Sequence, residues 1–161
     1  MEVLVVETNG GIEAVDVLKV CGDGFTKGAA NVLTHEFEDA FEEDLITMYE
    51  QSHRMLCGKC LACPIKNICG GGYLPHRYSS KNGFNNPSIY CKDLLKLIAH
   101  IQNRLLDTLP SDFLNESRLE PFAYAELLDL HVRASDHSPY EQRLESFRMR
   151  QNHELVKEMM I

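Results

Sequence analysis

Five of the six cysteines fall in one stretch, Cys57-x2-Cys60-x2-Cys63-x5-Cys69-x21-Cys91, and only Cys21 lies outside it. A two-residue gap lets consecutive thiolates turn toward one centre on a tight loop, and four thiolates satisfy either a zinc ion or an iron–sulfur cluster. A disulfide framework fits worse: a five-plus-one distribution pairs poorly, and 161 residues build a core without such staples. The spacing therefore specifies a metal but leaves its identity open, since soft thiolates with no evident histidine partner suit both candidates. Cys57, Cys60 and Cys63 have the rhythm of a ferredoxin and are followed by Pro64, which tilts the reading toward iron–sulfur.

Charge and hydropathy narrow the partners. With 16 Lys and Arg against 24 Asp and Glu, the formal net charge of -8 repels phosphate backbones at neutral pH, so no nucleic-acid partner is expected. No run approaches the ~20 apolar residues that span a bilayer. The start, Met1-Glu2-Val3-Leu4, lacks the basic flank and apolar stretch of a secretion signal. A cytoplasmic protein with no membrane partner is expected, in a compartment where thiols stay reduced.

The pattern along the chain predicts an α+β domain: an N-terminal β-hairpin, a helix, a cysteine-rich loop and C-terminal α-helices. Val3 to Val6 form a β-branched run, Asn9-Gly10-Gly11 tolerates positive φ, and Ile12 to Leu18 returns. Residues 21 to 33, with Gly22, Gly24 and Gly28, read as loop. Thr34 then caps a predicted helix to about Met55, in which Phe37, Phe41, Leu45 and Met48 recur at helical spacing. The acids Glu36, Glu38, Asp39, Glu42, Glu43 and Asp44 crowd its N-terminal half, where the helix dipole favours them, and read as a solvated face. Residues 57 to 91 have no sustained periodicity. From Lys92, the residues Leu94, Leu95, Leu97, Ile98, Ile101, Leu105 and Leu106 mark one broad apolar face until Pro110. After a polar break, Phe122 to Arg133 reads as a helix, and Ser138-Pro139-Tyr140-Glu141 announces another that runs to the end. The organisation expected is a cysteine domain over 1–109 and a helical extension over 110–161.

The neighbours of the cysteines fit a metal site. Gly70-Gly71-Gly72 leaves the backbone free to approach closely and aim N–H groups at sulfur. Cys91 sits just ahead of the apolar helix, where the dipole lowers a thiol pKa and favours the thiolate. His76-Arg77-Tyr78 is placed to stand behind the ligands or orient a substrate, or else is ordinary loop packing.

Two stretches carry a resemblance. Cys60-x2-Cys63-x5-Cys69-Gly-Gly-Gly with a distant Cys91 and a following helix resembles the SPASM domain, the auxiliary iron–sulfur domain of radical S-adenosylmethionine enzymes. The run Cys69-Gly-Gly-Gly-Tyr-Leu-Pro-His-Arg-Tyr, with Asn85-Asn86-Pro87-Ser88-Ile89-Tyr90-Cys91-Lys92-Asp93-Leu94, is similar to the subgroup that matures ribosomally made peptides, including FxsB-type maturases. The opening Val6-Glu7-Thr8-Asn9-Gly10-Gly11-Ile12 to Asp16 is similar to the hairpin that precedes the cluster there. The resemblance covers roughly residues 3 to 105. It implies one 4Fe-4S cluster held by Cys60, Cys63, Cys69 and Cys91, with Cys57 a spare thiol or an alternate ligand. A second, inner cluster is not expected, because Tyr73 and Asp16 stand where the family has cysteine, and no cysteine precedes Cys21. The implied partners are a radical core, on the same or a separate chain, and a ribosomally made peptide. The core's Cys-x3-Cys-x2-Cys spacing does not occur in this sequence, so the chain is expected to have no catalytic residue of its own and not to cleave S-adenosylmethionine alone. The alternative is a module in which Zn2+ takes the same four thiolates and the amphipathic helices dock a partner protein.

Other motifs fall short. His153-Glu154 begins a zinc-protease helix, but Lys157 stands where the second histidine belongs. Gly70-Gly71-Gly72 lacks the Lys-Ser/Thr of a phosphate loop. Cys21 reads as an isolated thiol, and Met159-Met160-Ile161 as core or a docking face.

Overall fold

The opening strands are short because the chain turns tightly. In the computed structural model, which describes residues 4–117 and 119–133, β1 (Val5–Val6) and β2 (Gly11–Glu13) pair antiparallel with Val6 opposite Ile12. Gly10, at φ 82°, donates its N–H to the Glu7 carbonyl, and Asn9 Oδ1 accepts from Gly11 N–H at 3.0 Å. The expected return strand stops at Glu13. Beyond it Asp16–Cys21 winds into a 3-10 turn that buries Leu18.

A third strand occupies part of the predicted loop. β3 (Lys27–Asn31) pairs antiparallel with β2, giving the sheet order β1-β2-β3. Its sequence, Lys-Gly-Ala-Ala-Asn, has little strand propensity. Its outer edge is held instead by the Glu43 carboxylate, which accepts the N–H groups of Ala29 (2.8 Å) and Ala30 (3.2 Å). A Cβ at Gly28 would run into that carboxylate.

The same contact breaks the helix expected over 34–55. Glu43 is extended (φ -72°, ψ 131°), so a 3-10 turn at Phe37–Glu42 ends before it and α1 (Asp44–Glu50) begins after it. Asp39 Oδ2 accepts the Glu36 N–H at 3.0 Å, which starts the 3-10 turn. Glu36, Glu38, Asp39, Glu42 and Asp44 are exposed, as a solvated face should be, whereas Glu43 is half-buried against the strand.

Among the described residues two larger apolar cores form, beside a small cluster of Leu56, Cys57 and Cys60. The first joins the sheet to α1 through Ile12, Leu18, Ala40, Ile46, Leu74 and Phe84, and Phe25, Tyr78 and Phe84 pack their rings together beside it. The second gathers Ile65, Leu95, Ala99 and Leu127, with Cys63, Cys69 and Cys91 packed against it. The cysteine-rich loop is not wholly irregular: it contains α2 (Gly58–Ala62), α3 (Lys66–Cys69) and a 3-10 turn at Leu74–Arg77. α4 (Cys91–Leu106) follows. Only part of its apolar face is covered: Leu95, Ala99 and Leu106 are buried, while Leu97, Ile101 and Leu105 are exposed.

α5 (Ser111–Ser117) occupies the predicted polar break. α6 (Tyr124–Arg133) matches expectation closely and lies against α4, with Leu127 in the second core. The helix expected from Ser138 onward, with His153, Glu154 and Met159, lies outside the described residues. Among the described residues no helix is long and apolar enough to cross a membrane.

Candidate metal centre

Short elements deliver the thiols. Cys57 caps the N-terminus of α2, Cys60 lies within that helix and Cys63 ends it. Cys69 is the last residue of α3, after which Gly70 turns left-handed at φ 58°. Cys91 opens α4. All six cysteines lie among the described residues, and no disulfide joins any two.

Four of these thiols line one pocket. Cys60, Cys63, Cys69 and Cys91 line a space of about 20 Å³, and Ile65, Lys66, Gly71, Leu95 and His131 complete the wall. Cys57 does not line it: the residue is 2% exposed, and its thiol hydrogen-bonds that of Cys60. Cys21 packs at the first core, away from the others. A larger hollow of about 390 Å³ lies elsewhere, beside the sheet, where Thr26 Oγ1 donates to the buried Glu13 carboxylate.

Three of the pocket thiols, Cys60, Cys63 and Cys91, are pushed above the ordinary range. Cys60 is pushed far above the ordinary range, first by its hydrogen bond to Cys57, then by burial and the charges of Cys57 and Cys91; the Arg77 guanidinium opposes this. Burial raises Cys63, and a hydrogen bond from the Ile65 backbone N–H works against it. Cys91 rises to about 11, through burial first and then the sulfurs of Cys69, Cys63 and Cys57. The position at the start of α4 was expected to lower this thiol, but burial and neighbouring sulfur outweigh the helix dipole. Thiols within reach of one another's charge are what a cation would relieve, because each thiolate is stabilised by the metal that repels its proton.

Compared with family models, curated proteins and solved structures, the chain matches none. Among the described residues, no three His, Cys, Asp or Glu side chains are gathered tightly enough to hold an ion as they stand. The donor set still fits a thiophilic metal: four soft sulfurs, three of them burdened by burial, share one wall. Closing on an ion or cluster requires the sulfurs to shift.

The glycine run acts differently from expectation. Gly70 and Gly72 N–H donate to the carbonyls of Lys66 and Cys69, so they close the turn after α3 instead of aiming at sulfur. Gly71 lines the pocket, at φ 80°, where a Cβ would meet Leu56 Cδ2 at 2.5 Å and Arg77 Nη1 at 3.0 Å.

His76, Arg77 and Tyr78 divide. His76 packs edge-on between the rings of Tyr73 and Tyr90, and Tyr78 belongs to the first core. Arg77 is 1% exposed and donates to the carbonyls of Met55 and Ser52, both at 3.0 Å. It is the one of the three whose charge reaches a candidate ligand, Cys60. Asp16 and Tyr73 come within electrostatic reach of each other.

Sequence reasoning missed His131. It sits on α6, 8% exposed, with Nε2 3.5 Å and Nδ1 3.8 Å from Cys91 Sγ. One signal pointed to it: Leu127 and His131 are four apart, so they share the helix face turned toward the second core.

Proposed function

We propose that this chain is the auxiliary iron–sulfur domain of a radical S-adenosylmethionine enzyme that modifies a ribosomally made peptide. It binds one 4Fe-4S cluster through Cys60, Cys63, Cys69 and Cys91. The observation that carries the reading is the convergence of four thiols, from separate elements spanning residues 60 to 91, on one pocket wall. Two further features support it. Asp16 and Tyr73, at the positions where the resembled family has further cysteine ligands, come within electrostatic reach of each other, which is compatible with that reading. Arg77, buried beside Cys60, offers positive charge to a set of thiolates that would otherwise repel.

When bound, the cluster supplies one-electron transfer. The chain's residues supply the rest. Cys60, Cys63, Cys69 and Cys91 take all four ligand places and leave no site for substrate, which favours electron relay and structural support for the radical core. The Ile65 N–H donates to Cys63 and orients it. The second core packs behind the half-buried Cys63, Cys69 and Cys91 and shields one side of them.

Anaerobic reconstitution with iron and sulfide tests the reading. A brown protein absorbing at about 400 nm, with iron and sulfide near four per chain, is the expected outcome. Cys91→Ser lowers that content, and retained iron after this change overturns the ligand set. Release of 5'-deoxyadenosine by this chain alone, given the cofactor and a reductant, refutes the absence of a catalytic core.

A specific observation favours a second reading. The pocket, of about 20 Å³, is nearer the size of one ion than of a cluster, although the sulfurs must shift to close on either. In this reading Zn2+ takes the four thiolates and fixes α3 and α4 as a platform for a partner protein. A colourless preparation with stoichiometric zinc after anaerobic purification, and no iron uptake on reconstitution, decides for it.

A further inference from the structure

We infer that His131 is part of the metal centre: its ring N–H donates to the Cys91 thiolate and ties α6 to the ligands. This rests on the metal-centre reading above. His131 is 8% exposed, lines the thiol pocket and places Nε2 at 3.5 Å from Cys91 Sγ, within reach of an N–H···S hydrogen bond. Its position is held by more than its contact with sulfur: Leu127, one turn earlier, packs with Ile65, Leu95 and Ala99, and Asn103 on α4 holds the backbone where the chain enters α6. A ring carried there on a packed helix is preorganised toward Cys91.

A thiolate bound to a metal remains a hydrogen-bond acceptor, and a donor aimed at it draws electron density from the sulfur. Two effects follow. The bound form is stabilised, and an iron–sulfur centre becomes easier to reduce. With the ring proton on Nε2, His131 supplies that donor. The ring is a positioning group for the ligand, and all four ligand places remain with cysteine. α6 thereby acquires a role in the site, since residues 124–133 complete the centre that the cysteines at 60–91 begin.

The full chain, His131→Ala and His131→Gln are reconstituted anaerobically with iron and sulfide. Iron release to a competing chelator and the midpoint potential are then measured. His131→Ala is expected to release iron about 10- to 100-fold more readily, the usual consequence of losing such a partner, and to show a more negative potential. His131→Gln, whose amide N–H can still reach the sulfur, recovers most of both. Equal release and equal potential in wild type and His131→Ala overturn the inference while the iron–sulfur reading stands. A Gln variant as impaired as the Ala variant also overturns it. Wild type that holds no iron sinks the reading and this inference together. Because the variants can unfold, a measurement on unmodified protein stands beside them. With the NMR-active cadmium isotope as the only metal, a coupling between the His131 ring N–H and cadmium, transmitted through sulfur, is expected. Its absence, or a direct one-bond nitrogen–cadmium coupling, overturns the donor role.

Discussion

Asn103 holds Phe122 by both ends of its side-chain amide: Nδ2 donates to the Phe122 carbonyl at 3.0 Å, and Oδ1 accepts the Phe122 N–H at 2.8 Å. The two residues are nineteen apart, on α4 and just before α6, so this pair fixes where α6 lies along α4. Asn103→Ala removes both bonds and leaves a part-buried backbone donor and acceptor unmet. A loss of about 2 kcal/mol is expected at about 1 kcal/mol per bond. Urea unfolding measures it, and amide hydrogen exchange localises it to α6. An effect spread evenly over the chain contradicts the docking role.

Arg77 places a charged side chain in the interior and directs its donors to the carbonyls of Met55 and Ser52. Those carbonyls lie at the end of the segment leading into Cys57, so the guanidinium ties the approach of the ligand loop to the turn beyond it. Arg77→Leu strands both acceptors and is expected to cost about 3 kcal/mol, at roughly 1–3 kcal/mol for each. Arg77→Lys recovers only part, because one ammonium lacks the planar fork that spans two carbonyls. Chemical denaturation of the three proteins gives the order wild type, Lys, Leu. A Lys variant as stable as wild type rules out the fork.

The parts of this fold legible in the sequence are those set by local periodicity. α6 and the body of α4 follow from apolar residues at helical spacing, and the first turn follows from Asn9-Gly10-Gly11. What was not legible depends on pairings across the chain. β3 lacks strand formers and exists because Glu43, twelve residues beyond its last residue, caps its edge; that capture also divides the helix whose spacing over 34–55 looked continuous. The same distinction applies at the candidate site. Cys60, Cys63 and Cys69 announce themselves by interval, whereas His131 reaches Cys91 across forty residues, through a helix face and the Asn103 clamp.

The raised thiols make the metal-free chain sensitive to alkali. Cys91 titrates at about 11 when folded against an ordinary value of 9.0, with burial the first cause, and Cys60 and Cys63 shift in the same direction. As pH rises through about 9, the unfolded chain releases these protons while the folded chain keeps them. Their contribution to stability is therefore intact below about pH 9 and lost as pH rises toward about 11. The urea midpoint of chelator-treated, reduced protein should fall between about pH 9 and about pH 11. In Cys91→Ala, which lacks one of the raised groups, the fall is shallower. A metal-loaded chain departs from this behaviour because its ligand protons are already displaced. A midpoint in the metal-free chain that stays level over the interval contradicts the assignment.

Cys57 and Cys60 are three residues apart and hydrogen-bonded, yet only Cys60 faces the pocket. Cys57 packs instead with Leu56 at 2% exposure, as a small apolar residue would. Cys57→Ala therefore removes a buried sulfur at a cost of about 1 kcal/mol and leaves iron content unchanged. It also removes the first cause of Cys60's raised pKa, so Cys60 becomes more readily ionised and metal uptake is faster in the variant than in wild type. Cys60→Ala, a change of equal size one turn away, abolishes uptake. Iron and sulfide content with stopped-flow loading of the two variants separates the cases. Loss of iron in Cys57→Ala with retention in Cys60→Ala would exchange their roles, and Cys57 would then be the ligand paired with Cys63, Cys69 and Cys91.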